Sequence, residues 1–549
     1  MERNLERMAG RRYDLLVIGG GINGTAILRD AALRGLRAAL VEGEDFGWGT
    51  TARSTRLIHG GLRYLEHFEF GLVREGLRER EILLRTAGHL VRPLPFLTPL
   101  YAHSRVGPIK LKMGMLLYDL LSWGKSLPSH RWYDKGTTLR LEPGLTERGL
   151  AGAMLYYDGQ VELPERLCLE NLLQAVQHGA DVANYAPVRE LVLEGRAVKG
   201  AVVEDALTGA RYTLFARVVV NATGPWVDLF SSRMLKPGSN RMRLTKGTHI
   251  LLPPFVNHAI VILAESDGRL FFALPWRGYT LVGTTDTDFE GDPGRVRPSG
   301  DEIEYLLRET RRIFPRAPLG PVYWATAGVR PLARDGAGDA GATSRRHRIV
   351  DHREEGYEGI LSVLGGKITN QRFVAEETVD IAAKMLRTPA RSVTARRPYY
   401  GAVSGDFERF VERAAAEHTG SFGLTEAQVR RLARTYAGAL PRLLDRIRKE
   451  PRLARPLVDG HPATLVEVHY GVEVEMVQRT QDFLLRRTGL GLDADLALEL
   501  APRVADAIGA LRGWDRRRVE QDVEDYLAAI EPMRVDEAAW RALEADQGK

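Results

Sequence analysis

A chain of 549 residues is longer than one hydrophobic core ordinarily supports, so two or three domains are expected. Its 44% hydrophobic and 27% charged residues are those of a soluble folded protein, and a net charge of only +6 gives no sign of nucleic-acid binding, although it suits an anionic substrate or an anionic membrane surface. The single cysteine, Cys168, excludes an intrachain disulfide and a thiol cluster for a metal, and the polar N-terminal segment lacks the apolar stretch of a secretory signal, so no metal and a cytoplasmic location are expected.

The strongest signal comes first. Asp14 to Ile18 is an apolar strand entering Gly19-Gly20-Gly21-Ile22-Asn23-Gly24, which opens an Ala/Leu-rich helix. In such a unit Gly19 permits the tight turn, Gly21 lets the backbone approach a pyrophosphate, and Gly24 lets helix and strand pack, with the free N–H groups of the helix facing phosphate. A second strand, Arg37 to Val41, ends in Glu42, about twenty residues past the glycines, where a carboxylate accepts from the hydroxyls of an adenosine ribose and disfavours a 2′-phosphate. Gly47 to Tyr64 is a donor-rich loop suited to an anion and leads into a helix over Phe70 to Arg85. Ile109 to Trp123 is amphipathic, with two lysines at its start and an aromatic at its end. No apolar run reaches the roughly 18 residues that span a bilayer. This one reads equally as a helix lying in a membrane interface or as an ordinary helix packed on the core.

Short β-prone runs follow at Val198 to Val203, Thr213 to Val220 and His249 to Leu252, and Phe271 to Trp276 and Tyr279 to Gly283 read as neighbouring strands joined at Arg277-Gly278. Asp335 to Thr343 reads as a loop. From about Asp406, apolar and charged residues alternate at helical spacing over Val411 to His418, Glu426 to Ala437 and Val474 to Arg487, which predicts helices with solvated charged faces. The fold class is therefore α/β: a Rossmann-like domain for a dinucleotide, identified below as an FAD-binding domain, with an inserted substrate domain on a mixed or antiparallel sheet, and an α-helical C-terminal domain. The expected division is 10–90, 160–225 and 345–390 for the first, 91–159 and 226–344 for the second, and 400–549 for the third.

Flavin is ranked above nicotinamide by a second turn. Val218 to Val220 runs into Asn221-Ala222-Thr223-Gly224-Pro225-Trp226, whose small residues let a backbone pass close to a cofactor. A third strand, Leu361 to Leu364, meets Gly365-Gly366-Lys367-Ile368-Thr369 and another helix, whose N-terminus, together with Lys367, suits the negative charge of a reduced flavin. Arg63, Arg330 and Arg345 are cations beside glycine turns with no partner evident in the sequence, and arginine forks suit phosphate or carboxylate. His59 and His249 are candidate bases, each with an equal reading as a structural histidine.

His59 to Tyr64, Asn221 to Trp226, Lys246 to His249, Gly283 to Asp286, Gly328 to Leu332 and Gly365 to Thr369, in this order, resemble the FAD-dependent glycerol-3-phosphate dehydrogenases of the D-amino acid oxidase-like superfamily. The likeness runs through residues 10–400, and the helical tail resembles that family's C-terminal domain. It implies oxidation of glycerol 3-phosphate to dihydroxyacetone phosphate by hydride transfer from C2 to the N5 of FAD, with electrons passed to a membrane quinone. It places the substrate phosphate on Arg330 and Arg345, Arg63 and Tyr64 near the substrate, and Lys367 beside flavin and substrate, with His249 or His59 taking the proton. Cofactor contacts are expected from Gly19, Gly21, Ile22, Asn23, Gly24, Glu42, Thr50, Thr51, Ser54, Val188, Ala222, Thr223, Gly224, Trp226, Gly365, Gly366, Lys367, Ile368 and Thr369. No His or Cys anchor is evident, so noncovalent FAD is expected. Arg53 and Arg56 depart from the family pattern, in which small hydroxyl residues and lysine are common in that loop. A glycerol-3-phosphate oxidase that uses oxygen and releases hydrogen peroxide is the alternative. An amino acid oxidase is disfavoured by the added cations, and a flavin-binding protein without turnover by the intact Arg63, Arg330, Arg345 and Lys367. A homodimer held peripherally at the inner face of the cell membrane is the expected assembly.

Overall fold

Uniformly apolar runs become strands covered on both faces, whereas runs of alternating burial become strands with one face open, and this chain contains both. The computed structural model describes residues 1–61, 68–102, 107–235, 241–334, 343–344 and 346–535. Arg12–Ile18 lies at the centre of an eight-stranded sheet, parallel to Arg211–Asn221 on one side, with Val17 opposite Val220, and to Ala38–Val41 on the other, with Val17 opposite Leu40. Ile360–Leu364 extends the parallel set, Arg348–Asp351 and Asp181–Ala183 form the two ends of the sheet, and Val188–Glu194 with Ala197–Glu204 adds an antiparallel flap. The helices Ile22–Leu33, Pro164–Gln177 and Gln371–Leu386 cover one face over Leu15, Val17, Ile27, Leu172 and Val379, while Leu5, Met8, Leu16, Val219 and Ile360 pack on the other. This double cover is why the strands read as continuous apolar runs.

The second sheet has eleven strands and is antiparallel except where Ala259–Leu263 runs parallel to Val91–Tyr101. Met242–Leu252 pairs along its length with Trp324–Arg334, setting Thr245 opposite Arg330 and His249 opposite Thr326. The expected hairpin forms between Leu270–Trp276 and Tyr279–Gly283. Its two turn residues, Arg277 and Gly278, have φ of 52° and 81°, as a tight turn matching the strand twist requires. Thr343 begins a two-residue strand, and the rest of the expected loop from Asp335 lies outside the described residues.

The expected helix over Phe70 to Arg85 is observed as Phe70–Thr86, and the helical C-terminal region contains Phe407–His418, Glu426–Tyr436, Leu440–Lys449, Leu465–Glu473, Leu500–Arg512 and Arg516–Ile530. Thr425 and Gln428 cap the second of these reciprocally, satisfying N–H groups that the helix leaves unpaired. The expected helix Val474 to Arg487 is corrected. The preceding helix ends at Glu473, and the chain resumes only as a single wide turn, Asp482–Arg487. The charges of this stretch point inward. Arg486 and Arg487 both donate to Asp45 of the first domain at 2.5 Å, Arg486 also donates to Asp482 at 2.7 Å, and Arg166 donates to Glu475 at 2.6 Å, all buried. Burial acts to raise the Asp45 carboxyl, but Arg487 and Arg486 outweigh it and hold it well below the usual carboxylate range.

Candidate active site

The three glycine turns meet along one wall of a cavity of about 2520 Å³. The strand Arg12–Ile18 ends at Gly19, whose φ is 110°, and the helix Ile22–Leu33 starts at Gly21 with no side-chain cap. A Cβ on Gly19 would sit 2.6 Å from the carbonyl oxygen of Ala222, and one on Gly24 would collide with the carbonyl oxygen of Gly19, so the close packing of strand, helix and second turn depends on both glycines. Glu42 accepts from the N–H of Gly20 at 2.5 Å and of Glu44 at 2.8 Å. Burial raises its carboxyl above the ordinary range against the pull of those two amides. Asn23 Nδ2 donates to Gly365 O at 3.1 Å, joining the first turn to the third, and its buried Oδ1 has no hydrogen-bond partner among the described residues. Thr51 Oγ1 accepts from Ile22 N at 3.1 Å, and Thr50 Oγ1 donates to Val329 O at 2.7 Å. Trp226 stacks on Trp48 with ring centres 5.8 Å apart.

Most expected cofactor positions line the cavity: Gly19, Gly21, Ile22, Asn23, Glu42, Thr50, Thr51, Ser54, Val188, Ala222, Thr223, Gly224, Trp226, Gly365, Gly366, Lys367 and Ile368. Gly24 and Thr369 do not. Gly24 packs helix on strand, as its place in the turn requires, and Thr369 is buried behind the wall, where its Oγ1 accepts from His59 N at 3.1 Å.

The same cavity is also lined by His59, His249, Arg330 and Lys367. Arg63, Tyr64 and Arg345 lie outside the described residues. Arg330, read from the sequence as a cation without an evident partner, is engaged: it donates to Asp286 Oδ1 at 3.0 Å, Thr284 Oγ1 at 2.7 Å and Thr285 O at 2.9 Å. His249 is 3% exposed, its Nε2 is 3.0 Å from Thr55 Oγ1, and its Nδ1 has no hydrogen-bond partner among the described residues. Burial, with Arg330 and Arg56 nearby, pushes this imidazole down to about 3. The two arginines that depart from the family pattern part company. Arg53 lines the cavity, donates to Trp48 O at 2.8 Å, lies over the Trp48 ring and has no ion pair among the described residues; burial and then Arg486 push its guanidinium down to about 10. Arg56 turns into the interior toward Glu165 and the Trp276 ring. Sequence reading flagged Arg53 only as a departure and missed Thr55 altogether, since neither belongs to a glycine turn.

The stretch Ile109 to Trp123 forms the helix Pro108–Leu121, which packs one face on the core and leaves another exposed. Met115 and Tyr118 are buried against the core, whereas Ile109, Met113, Leu116, Leu120 and Trp123 make one exposed apolar face, with Trp123 89% exposed. Leu111, Gly114 and Leu117 of the same helix join Phe96, Leu100 and Phe272 in lining the cavity. Among the described residues no helix is long and apolar enough to cross a membrane.

A glycine-built nucleotide cradle opening on histidines, an arginine and a lysine defines a dinucleotide-dependent oxidoreductase site. Known proteins place it more closely. Residues 14–372 match the family of FAD dependent oxidoreductases, and residues 392–519 match the C-terminal domain of alpha-glycerophosphate oxidase. The chain is 37% identical over 541 residues to a glycerol-3-phosphate dehydrogenase of Synechocystis, covering 95% of this chain and 97% of that one, and 32% identical to the aerobic glycerol-3-phosphate dehydrogenase of Staphylococcus haemolyticus, covering 97% and 96%. The crystal structure of the glycerol-3-phosphate dehydrogenase of Bacillus halodurans complexed with FAD superposes with a TM-score of 0.80 at 29% identity, covering 97% of this chain and 98% of that one. The chain belongs to the FAD dependent oxidoreductases and, within them, to the glycerol-3-phosphate dehydrogenase family. FAD is the cofactor of this family, and the residues present fit it: the close strand–turn–helix packing that depends on Gly19 and Gly24, the helix N-terminus at Gly21 on the cavity wall and Asn23 Oδ1, without a partner among the described residues, suit a dinucleotide.

Proposed function

We propose that the chain oxidises sn-glycerol 3-phosphate to dihydroxyacetone phosphate and passes the electrons to a quinone at the inner face of the cell membrane. The observation that carries this reading is the presence of Arg330, Lys367, His59 and His249 on the wall of the cavity that the glycine turns open into. Residues 10–90, 160–225 and 345–390 would hold the cofactor without a covalent bond, with Glu42 on the ribose and the Gly21 and Asn23 amides on the pyrophosphate. Residues 91–159 and 226–344 would carry the substrate side, and 400–549 the helical support. The chain's one thiol, Cys168, is buried and pushed up by that burial, which supports noncovalent attachment. When bound, FAD supplies a hydride acceptor at N5.

The protein's own groups do the rest. Arg330 exchanges its hold on Asp286 for the substrate phosphate, joined by Arg345, Arg63 and Tyr64, and that anchorage orients C2. Lys367 holds positive charge beside the reacting carbon. Of the two candidate bases, His249 is too weakly basic near neutral pH to keep a proton, so the C2 hydroxyl proton is assigned to His59, and His249 orients the hydroxyl from its bond with Thr55. The exposed apolar face of Pro108–Leu121, beside Lys110 and Lys112, suits an anionic lipid surface, and the apolar cavity wall under this helix suits a lipid-soluble acceptor.

Anaerobic addition of glycerol 3-phosphate to the purified protein tests the reaction. Bleaching of the flavin band is expected, and a flavin that stays oxidised would overturn the substrate. Reoxidation of the bleached enzyme by a short-chain quinone without oxygen is the expected second step. Fast reoxidation by oxygen, with stoichiometric hydrogen peroxide, would instead establish the oxidase reading, which the match to the alpha-glycerophosphate oxidase C-terminal domain favours.

A further inference from the structure

One buried polar set beside the cavity has no part in the chemistry above. Tyr118, on the inner face of the Pro108–Leu121 helix and 2% exposed, donates its hydroxyl to Asp158 Oδ2 at 2.8 Å and accepts the backbone N–H of Gly60 at 3.1 Å. Asp158 in turn accepts from the buried Arg80 at 2.5 Å. A carboxylate at this depth is tolerated only when paired and hydrogen-bonded, and Arg80 and Tyr118 meet that requirement. Burial, and then Asp158, hold the phenol protonated, so its direction of donation is fixed and its lone pair is left for Gly60.

The contact is shaped as well as charged. A Cβ on Gly60 would lie 2.7 Å from the Tyr118 hydroxyl, and one on Gly76 would lie 3.1 Å from the Cα of Gly60, so two glycines let the phenol and the helix Phe70–Thr86 close on this loop. On the far side, His59 N donates to Thr369 Oγ1 at 3.1 Å. The amides on both sides of the His59 Cα are thus each held by a buried hydroxyl, which fixes the two backbone torsions between them and with them the root of the imidazole.

We propose that Tyr118 is a positioning residue for the oxidation: by fixing the amide that follows His59, it holds the imidazole where it takes the C2 hydroxyl proton. This inference rests on the assignment of that proton to His59. It links the helix with the exposed apolar face to the reacting centre through one hydroxyl, and misplacement of a catalytic group by about 1 Å is enough to cost roughly a hundredfold in rate.

The substitution Tyr118→Phe keeps the ring and its packing and removes the hydroxyl. In the full-length holoenzyme, anaerobic stopped-flow bleaching by glycerol 3-phosphate should slow by about 10- to 100-fold at saturation, with KM changed by less than about twofold and flavin content unchanged. In a His59→Asn background the same change should cost nothing further. Thr369→Val, which releases the amide on the other side, should show the same loss and the same non-additivity, and it serves where Tyr118→Phe impairs folding. If His59→Asn is slow while Tyr118→Phe bleaches at the wild-type rate, or if the two losses multiply, the positioning role is overturned and the base assignment stands. If His59→Asn bleaches at the wild-type rate, both are overturned.

Discussion

Two stretches of the cavity wall are built from different material. Along the glycine turns it is largely backbone: Gly19, Gly21, Ala222 to Gly224 and Gly365-Gly366 present turns whose shape depends on the side chains they lack. Around Arg330 and His249 it is side chain, and both groups are already engaged, Arg330 with Asp286 and His249 with Thr55. On the proposed reading, the glycine turns would receive the cofactor with little rearrangement, whereas Arg330 would trade a protein partner for the substrate, so changes in the two places should act on different quantities.

That contrast predicts losses of different kinds. His59→Asn should keep its flavin band and lose about 10²- to 10⁴-fold in kcat, measured by single-turnover bleaching, since general-base assistance is worth that much. A loss of flavin instead would give His59 a part in holding the cofactor. Arg330→Ala should also retain flavin and raise the glycerol 3-phosphate concentration needed for half-bleaching by about 10- to 100-fold, the equivalent of a charge-assisted hydrogen bond. An unchanged midpoint would remove Arg330 from the substrate. Among the glycine turns, Gly24→Ala should behave in the opposite way. Its methyl group drives into the Gly19 carbonyl, an overpacking of about 1–3 kcal/mol, so the Kd for FAD measured by flavin fluorescence should rise, while KM of the flavin-loaded fraction stays unchanged.

The smallest effect concerns pH. His249 binds a proton below about 6.5 when unfolded but only near 3 when folded, so the unfolded chain holds the extra proton and stability falls as pH drops through that window. His249→Gln should flatten the fall in the urea midpoint between neutral pH and pH 5. A slope equal to that of the wild type would mean that the imidazole titrates freely in the folded protein.

Legibility in the sequence follows the same division. The strand, glycine turn and helix from Asp14 to Gly24 are local, so their spacing alone located this part of the wall, and most of the residues named from it line the cavity. The partner of Arg330 was not legible, because Asp286 reaches it only where Met242–Leu252 pairs with Tyr279–Gly283 and Thr287–Asp288 on one side and with Trp324–Arg334 on the other. Arg53 and Arg56, three positions apart in one loop, go to the cavity and to the interior with no local signal to separate them. Glu426 to Ala437 and Val474 to Arg487 share a texture of alternating charge, yet the first is a capped helix and the second folds its charges inward. What differs is Asp45, far away in sequence, which accepts both Arg486 and Arg487. In Ile109 to Trp123 the lysines cluster near the start and apolar residues occupy both the covered and the exposed face, so periodicity could not say which face would be covered.

The pairing of Asp45 also bears on how the protein is made. Asp45 follows Glu42 by three residues in the segment that leaves the nucleotide cradle, but its arginine partners lie 441 and 442 residues further along the chain. While a ribosome is still adding those residues, the cradle contains a carboxylate in a site shaped for burial, with its counter-charges not yet synthesised. The segment that leaves the cradle therefore gains its buried counter-charges only once the C-terminal helical region is in place.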